Sequence, residues 1–320
     1  MKKYDVTALG ELLIDFTVNG SSRQGNPLYE ANPGGAPCNV LAILAGLGHK
    51  TAFVGKVGRD IFGQQLEAAL QEAGIETAYL QKSGRVPTTL AFVHRRKDGD
   101  RDFSFYREPG ADMLLEETEI PQELLKNSRI FHFGTLSMTH AGVRRATKRA
   151  VQLAVEAGAL ISFDPNLRPP LWNSLEAAKR QVQYGLAHCQ ILKISGEELQ
   201  WFTGMKDYME GVKKIRRNYP IPLILVTLGK EGSRAYYQNM LVEADAFVQK
   251  KTVDTTGAGD TFMGCILHFV LEYGLTNLTR ERLEDMLVWA NAAAALVTAR
   301  KGALRVMPRR EEVERLLKSR

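Results

Sequence analysis

The chain has 320 residues, 44% hydrophobic and 24% charged, with a formal net charge of +6. That balance suits a soluble α/β core with no segment disordered by composition. Cys38, Cys189 and Cys265 are far apart and odd in number, and no two of the six histidines stand at metal-ligand spacing, which argues against a disulfide framework or a transition-metal site and fits a reducing cytoplasm.

The opening residues are basic, but Asp5 and Glu11 interrupt the apolar run a signal peptide needs. Short apolar runs at 6–9, 52–54, 130–133, 160–163, 191–194 and 223–227 alternate with longer helical patterns, which predicts a mostly parallel sheet covered by helices. One such helix covers 60–73, where Ile61, Leu66, Ala69 and Leu70 form a stripe that stops at Gly74. Residues 88–94 and 101–107 read as a β-hairpin with its turn at Asp98-Gly99. With the extended stretch 14–18 the hairpin is expected to make a small antiparallel lid, built from about 12–33 and 87–110. Two basic clusters, Arg144-Arg145 with Lys148-Arg149 and Lys213-Lys214 with Arg216-Arg217, alternate with apolar residues at helical spacing and lack interleaved aromatics. They are read as solvated helix faces rather than a nucleic-acid surface. Residues 287–299 are too short an apolar run to cross ~30 Å of hydrocarbon. No repeat or linker divides the chain, so one α/β domain over 1–320 is expected.

The sharpest chemical signal is the loop Asp254-Thr255-Thr256-Gly257-Ala258-Gly259-Asp260 before an apolar helical run at 263–273. Backbone N–H groups at a helix start carry the positive end of the macrodipole, and small residues let an oxyanion approach. Gly257, Ala258 and Gly259 can therefore form an anion hole for a transferring phosphoryl group, with Asp260 at its mouth able to take the proton of an attacking alcohol. A tight turn with Asp260 capping the helix is the plain alternative. Neither Gly55-Lys56 nor Gly229-Lys230 is followed by Ser or Thr, so there is no Walker A loop, and Phe262 breaks the dinucleotide fingerprint.

The stretch 254–260 resembles the C-terminal signature of the ribokinase-like (PfkB) carbohydrate kinases. Pro33-Gly34-Gly35-Ala36-Pro37-Cys38-Asn39-Val40-Leu41-Ala42 resembles their N-terminal signature. The likeness runs from Gly10-Glu11 to Gly302-Ala303 and is strongest to bacterial fructokinases, through Phe105-Tyr106-Arg107 and the segment from Asp164 to Trp172. It implies a Rossmann-like ribokinase fold with a β lid and an ATP-dependent transfer to a ketohexose, fructose first. The rivals are 2-keto-3-deoxygluconate kinase, ribokinase or nucleoside kinase, or a non-catalytic sugar-binding regulator.

On this resemblance Asp15, Gly34, Gly35 and Asn39 hold the sugar, joined by Arg107 from the lid and by Arg168, for which an ion pair with Asp164 is the alternative. Ser195 and Glu198 match the Asn-x-x-Glu element with Ser in place of Asn, and Glu198 would order magnesium waters. Helix capping by Ser195 is its alternative. Thr227, Gly229 and Gly232 match the ATP-side loop, with a plain turn as the alternative, while Asn291 and Gly302 would border the adenine. A potassium-like cation is placed near Asp254 and Thr256, and a homodimer through the lid is expected.

Overall fold

The structure, a computed structural model, describes residues 2–95, 101–247 and 252–319. The chain enters through β1 (Tyr4–Leu9), leaves the core for β2 (Leu13–Ser21) and β3 (Pro27–Gly34), and returns along α1 (Ala36–Gly46), β4 (Thr51–Gly58) and α2 (Ile61–Glu72). Short strands β5 (Ile75–Glu76) and β6 (Leu80–Ser83) lead to the hairpin β7 (Leu90–Arg95) and β8 (Arg101–Tyr106). Then come α3 (Gln122–Lys126), β9 (Ser128–Gly134), α4 (Ala141–Glu156), β10 (Leu160–Asp164), α5 (Leu175–His188), β11 (Ile191–Ser195), α6 (Gly196–Thr203) and α7 (Tyr208–Asn218). The remainder is β12 (Leu223–Thr227), β13 (Ser233–Tyr237), β14 (Met240–Ala244), α8 (Ala258–Tyr273), α9 (Arg280–Thr298) and α10 (Arg310–Lys318).

The main sheet runs β14-β13-β12-β11-β10-β9-β1-β4-β5, with β6 pairing β4. It is parallel except where β13 turns back on β12 and β14 on β13. Successive side chains of a strand point to opposite faces. Leu223 and Leu225 accordingly join the apolar cluster made with α1, α8 and α9, while Ile224 and Val226 join the one made with α4, α5 and α7. Helices thus cover both faces, and each buried Leu or Ile is worth about 1.5–3 kcal/mol of transfer free energy.

The helix expected at 60–73 is α2, capped by Asp60, whose carboxylate accepts the Gly63 N–H. The expected hairpin pairs β7 with β8, and its turn at Asp98-Gly99 lies outside the described residues. One expectation needs correction. The small second sheet, ordered β3-β2-β7-β8, is mixed rather than antiparallel, because β2 and β7 run parallel. A chain that leaves the core, returns for a whole β–α–β stretch and leaves again in the same direction produces that pairing. Among the described residues no helix is long and apolar enough to cross a membrane.

Helix α8 is apolar on nearly every side and packs on α1 at Gly264, where an added Cβ would strike Ile43 and lie 2.9 Å from the Val40 carbonyl. This close crossing points the starts of α1 and α8 at the same place.

Candidate active site

β1 lies at the switch point of the sheet, since the chain goes to β4 on one side and later to β9 on the other. Ligands of such sheets sit beyond the carboxyl ends of the strands there. A cavity of about 620 Å³ occupies that position, lined by Glu11 and Asp15 after β1, Leu136 after β9, Asn166 and Arg168 after β10, Lys193 on β11, and the starts of α1 and α8.

Gly257 takes φ 80°, a left-handed conformation that costs glycine little, and so turns the chain from the loop into α8. The helix begins at Ala258, five residues before the apolar run, which places Asp260 in its first turn. The Asp260 carboxylate does not cap α8 in the manner of an N-cap side chain: Oδ2 accepts from Asn39 Nδ2 at 2.8 Å and Oδ1 from Asn166 Nδ2 at 3.4 Å. Burial pushes its carboxyl up to about 6, with Asp164 adding to the rise and Asn39, Lys193 and Arg168 opposing it. The two signature motifs, 221 residues apart, thus meet through one amide–carboxylate hydrogen bond.

On the α1 side, Asp15 presses on Gly34 so closely that a Cβ there would strike its Oδ2, and Gly35, at φ 135°, abuts the Glu11 carbonyl. Asp15, Gly35, Asn39 and Arg168 line the cavity. Buried Asn39 spends its NH₂ on Asp260, while its Oδ1 has no protein partner. Asp164 pairs with Lys193 Nζ at 2.9 Å rather than with Arg168, whose Nη1 donates to the Leu167 carbonyl at 3.2 Å.

Arg107, expected to reach the sugar, does not line the cavity. It is 2% exposed and tied down by bonds to Asp112 Oδ2 at 2.6 and 2.8 Å, to Thr139 and to the Leu136 carbonyl. A guanidinium held by that many acceptors acts as a brace between the end of β8 and the segment after β9. Ser195 takes its alternative role: it caps α6 in a capping box with Glu198. Glu198 Oε2 accepts from Ser195 N and Oε1 from Leu167 N at 2.7 Å, so both oxygens fasten backbone to backbone. Thr227, Gly229 and Gly232 form the bend between β12 and β13. Asn291 is likewise satisfied within the protein, donating to the Ala244 and Asp245 carbonyls and accepting from Ser233. Gly302 donates to Asp254 Oδ2 at 3.4 Å, and Thr256 N to Asp254 Oδ1 at 2.8 Å, so the 300–303 turn and the loop before α8 share one buried carboxylate. Among the described residues no group of three His, Cys, Asp or Glu could hold a metal ion by itself.

Three residues of this cavity escaped the sequence reading. Lys193 was visible as a charge inside an apolar strand, and its Nζ lies 3.0 Å from where a Cβ on Gly259 would stand. Burial pulls its pKa down, but Asp164, Glu198 and Asp260 outweigh that and leave it raised, so the cation is kept. Asn166 holds a left-handed φ of 43°, a conformation asparagine tolerates better than most side chains. Glu11 was visible as an acid set among apolar neighbours.

Comparison with known proteins shows what the whole chain is similar to. The sequence matches the pfkB family carbohydrate kinases over residues 3–310. It is 39% identical to a probable fructokinase-4 of Arabidopsis thaliana, over 98% of this chain and 96% of that one. Its fold superposes on a fructokinase of Xylella fastidiosa with bound ATP with a TM-score of 0.90, at 31% identity and covering 100% and 99% of the two chains. It superposes on a fructokinase double mutant of Vibrio cholerae in a form with bound fructose, ADP and potassium ion with a TM-score of 0.88, at 29% identity and 99% of each chain. The chain belongs to the pfkB family of carbohydrate kinases.

Proposed function

We propose that this protein is an ATP-dependent fructokinase and that Asp260 is its general base. The observation that carries the reading is the buried Asp260 carboxylate in the first turn of α8, opening on the cavity and bonded to Asn39. The fructokinases to which the chain is similar, one of them with fructose bound, support fructose as the acceptor.

The sugar enters against Asp15, the Gly34–Gly35 wall and Arg168, so that one hydroxyl reaches Asp260. Asn39 keeps that carboxylate aimed, and the carboxylate accepts the hydroxyl proton as the oxygen attacks the γ-phosphorus of ATP. The γ-phosphoryl moves to the sugar oxygen and ADP leaves. Charge on the moving phosphoryl group meets the α8 start at Gly257 to Gly259 and the ammonium of Lys193. Magnesium, when bound with ATP, neutralises phosphate oxygens. Glu198, held by the Ser195 and Leu167 backbone, is the acid that would order waters around such an ion. A potassium-like cation beside Asp254 and Thr256 fits a buried carboxylate that organises two backbone turns. ATP reaches this centre from the side of Thr227, Gly229, Gly232, Asn291 and Gly302, the glycines shaping the protein there through backbone bends and Asn291 by holding the Ala244 and Asp245 carbonyls.

The lid suits a second copy of the chain. Phe16, Val18, Tyr29, Phe92 and Tyr106 share one face by strand register, and Val18, Tyr29 and Tyr106 are exposed, an apolar surface that favours pairing. Sedimentation of the parent beside Tyr106→Lys checks this, with loss of a dimer expected in the variant. We place the enzyme in the cytoplasm, where its three free buried cysteines stay reduced.

ATP turnover across fructose, ribose, tagatose, 2-keto-3-deoxygluconate and nucleosides tests the substrate, with the highest kcat/KM expected for fructose. A preference for the acid sugar or a nucleoside would overturn the fructose assignment and leave the kinase standing.

A further inference from the structure

No part of the proposed phosphoryl transfer uses Glu11, although it is 4% exposed and lines the cavity. α1 starts at Ala36 behind Gly35, and Gly35 has no side chain to receive the helix's first N–H groups. Glu11 supplies the missing acceptor from another segment, its Oε1 taking the Ala36 N–H at 2.9 Å. The same residue's carbonyl abuts Gly35. Glu11 therefore grips both the cap position and the first residue of α1.

We propose that Glu11 is a positioning residue for the sugar: its carboxylate fixes the start of α1, and through it the Gly34–Gly35 wall against Asp15, so that its charge governs sugar binding rather than the chemical step. Four observations bear on that charge. A carboxylate at a helix start is favoured by the macrodipole, and its neutral acid is not. Burial pushes the Glu11 carboxyl up to about 7; backbone N–H groups of Glu11 and Ala36 and the Arg107 guanidinium draw it back, and Asp112 opposes them. Burial pushes the Cys38 thiol of α1 well up, with Glu11 and Asp260 adding to the rise, and His132 of β9 and Asp164 of β10 line the small cavity that Glu11 also borders. The Arg107–Asp112 brace thus sits where a sugar ligand was expected and acts on Glu11 instead.

The sign follows from the raised value. Glu11 is charged above about pH 7 and neutral below it, so sugar affinity is greatest in the alkaline range and weakens as pH falls through 7, whereas protonation of Asp260 near 6 shows in kcat. The inference rests on Asp15, Gly34 and Gly35 forming the sugar site. Steady-state kinetics with fructose at saturating Mg-ATP, from pH 5.5 to 9, compare the parent with Glu11→Gln, Glu11→Asp and Asp15→Ala. The parent's KM for fructose should rise about tenfold from pH 8.5 to 6, the worth of one charge-assisted hydrogen bond. Glu11→Gln should hold the high KM at every pH, with kcat changed less than KM, and Glu11→Asp should restore part of the slope. A Glu11→Gln enzyme that keeps the parent's KM and slope overturns the proposal, as does a Glu11→Asp enzyme as flat as Glu11→Gln. If Asp15→Ala leaves the KM for fructose untouched, the sugar-site assignment falls and the inference with it. If Asp15→Ala raises KM while Glu11→Gln keeps the slope, the inference alone falls.

Discussion

The starts of α1 and α8 face the same cavity and are built in opposite ways. At α1 the cap position is a glycine, and a carboxylate from the β1–β2 link takes its place. At α8 the cap position is again a glycine, but no side chain caps the helix, and the acid of its first turn is turned aside to Asn39. One helix start is satisfied by the protein and so becomes a firm wall. At the other, the Ala258 N–H reaches only the Thr255 carbonyl at 3.3 Å and no side chain caps the helix, which suits the anion site proposed there. Stability is spent at one to build shape and withheld at the other to leave chemistry, the division expected where a binding wall and a transition-state site share one pocket.

The sharpest way to break the contrast is Asp260→Asn. Turnover should fall by roughly 10²–10⁴-fold, the usual worth of a general base, while calorimetry still detects sugar and an ATP analogue. Stability should move the other way. The folded protein holds this carboxyl near 6, above the ordinary 3.8, so the stability present below the unfolded value is lost as pH rises through 6. Removing the charge should raise the thermal midpoint at pH 8 by an amount corresponding to at most about 3 kcal/mol. A variant that melts lower and still turns over within a few-fold of the parent would make Asp260 a structural partner of Asn39 rather than the base.

The α1 wall is tested by Asp15→Ala, which should raise the KM for fructose by roughly 10–100-fold, the loss of one charged acceptor at ~1.5–3 kcal/mol, and leave binding of an ATP analogue alone. Equal weakening of both ligands in titration calorimetry would remove Asp15 from the sugar site. A gentler probe is pH: with sugar saturating, kcat of the parent should decline about tenfold per unit below pH 6 as Asp260 takes up its proton. A flat profile down to pH 5 would separate the base from the rate-limiting step. The smallest effect is expected at Asn291→Ala, whose side chain bonds Ser233 and the Ala244 and Asp245 carbonyls. It strands Ser233 Oγ and two carbonyls and should cost ~1–3 kcal/mol of stability in a urea melt, with the KM for ATP moving less than about threefold. A large, selective loss of ATP affinity would show that the Asn291 side chain itself touches the nucleotide.

What the sequence made legible was contiguous. The loop at 254–260 and the junction of β3 with α1 at 33–42 each carry their motif within ten residues, and the alternation of apolar runs with helices was enough to give the parallel sheet. What stayed hidden depended on partners chosen in three dimensions. Arg107 looked like a ligand because Asp112, Thr139 and the Leu136 carbonyl do not announce themselves as its acceptors. The parallel pairing of β2 with β7 hinges on where an intervening β–α–β stretch returns the chain, which local pattern does not encode. Strands β13 and β14 were missed because they extend the sheet edge with short, mixed sequences rather than apolar runs. Lys193 and Glu11 were legible in principle, each as a charge where an apolar residue was due. Such a residue needs a buried partner or a task, and a sequence alone does not say which.

The hydrogen bond from Asn39 to Asp260 also has a temporal meaning. It closes a loop of 221 residues, and contacts of such separation come late in assembly because the entropy of closing the loop is met before the contact contributes anything. During synthesis the sheet from β1 to β12 and the lid can gather as they emerge, but the catalytic centre cannot exist until α8 has been made and has slid onto α1 at Gly264. A growing chain of this protein can therefore acquire most of its sheet well before it can transfer a phosphoryl group, and activity arrives in one step with the last large helix pair.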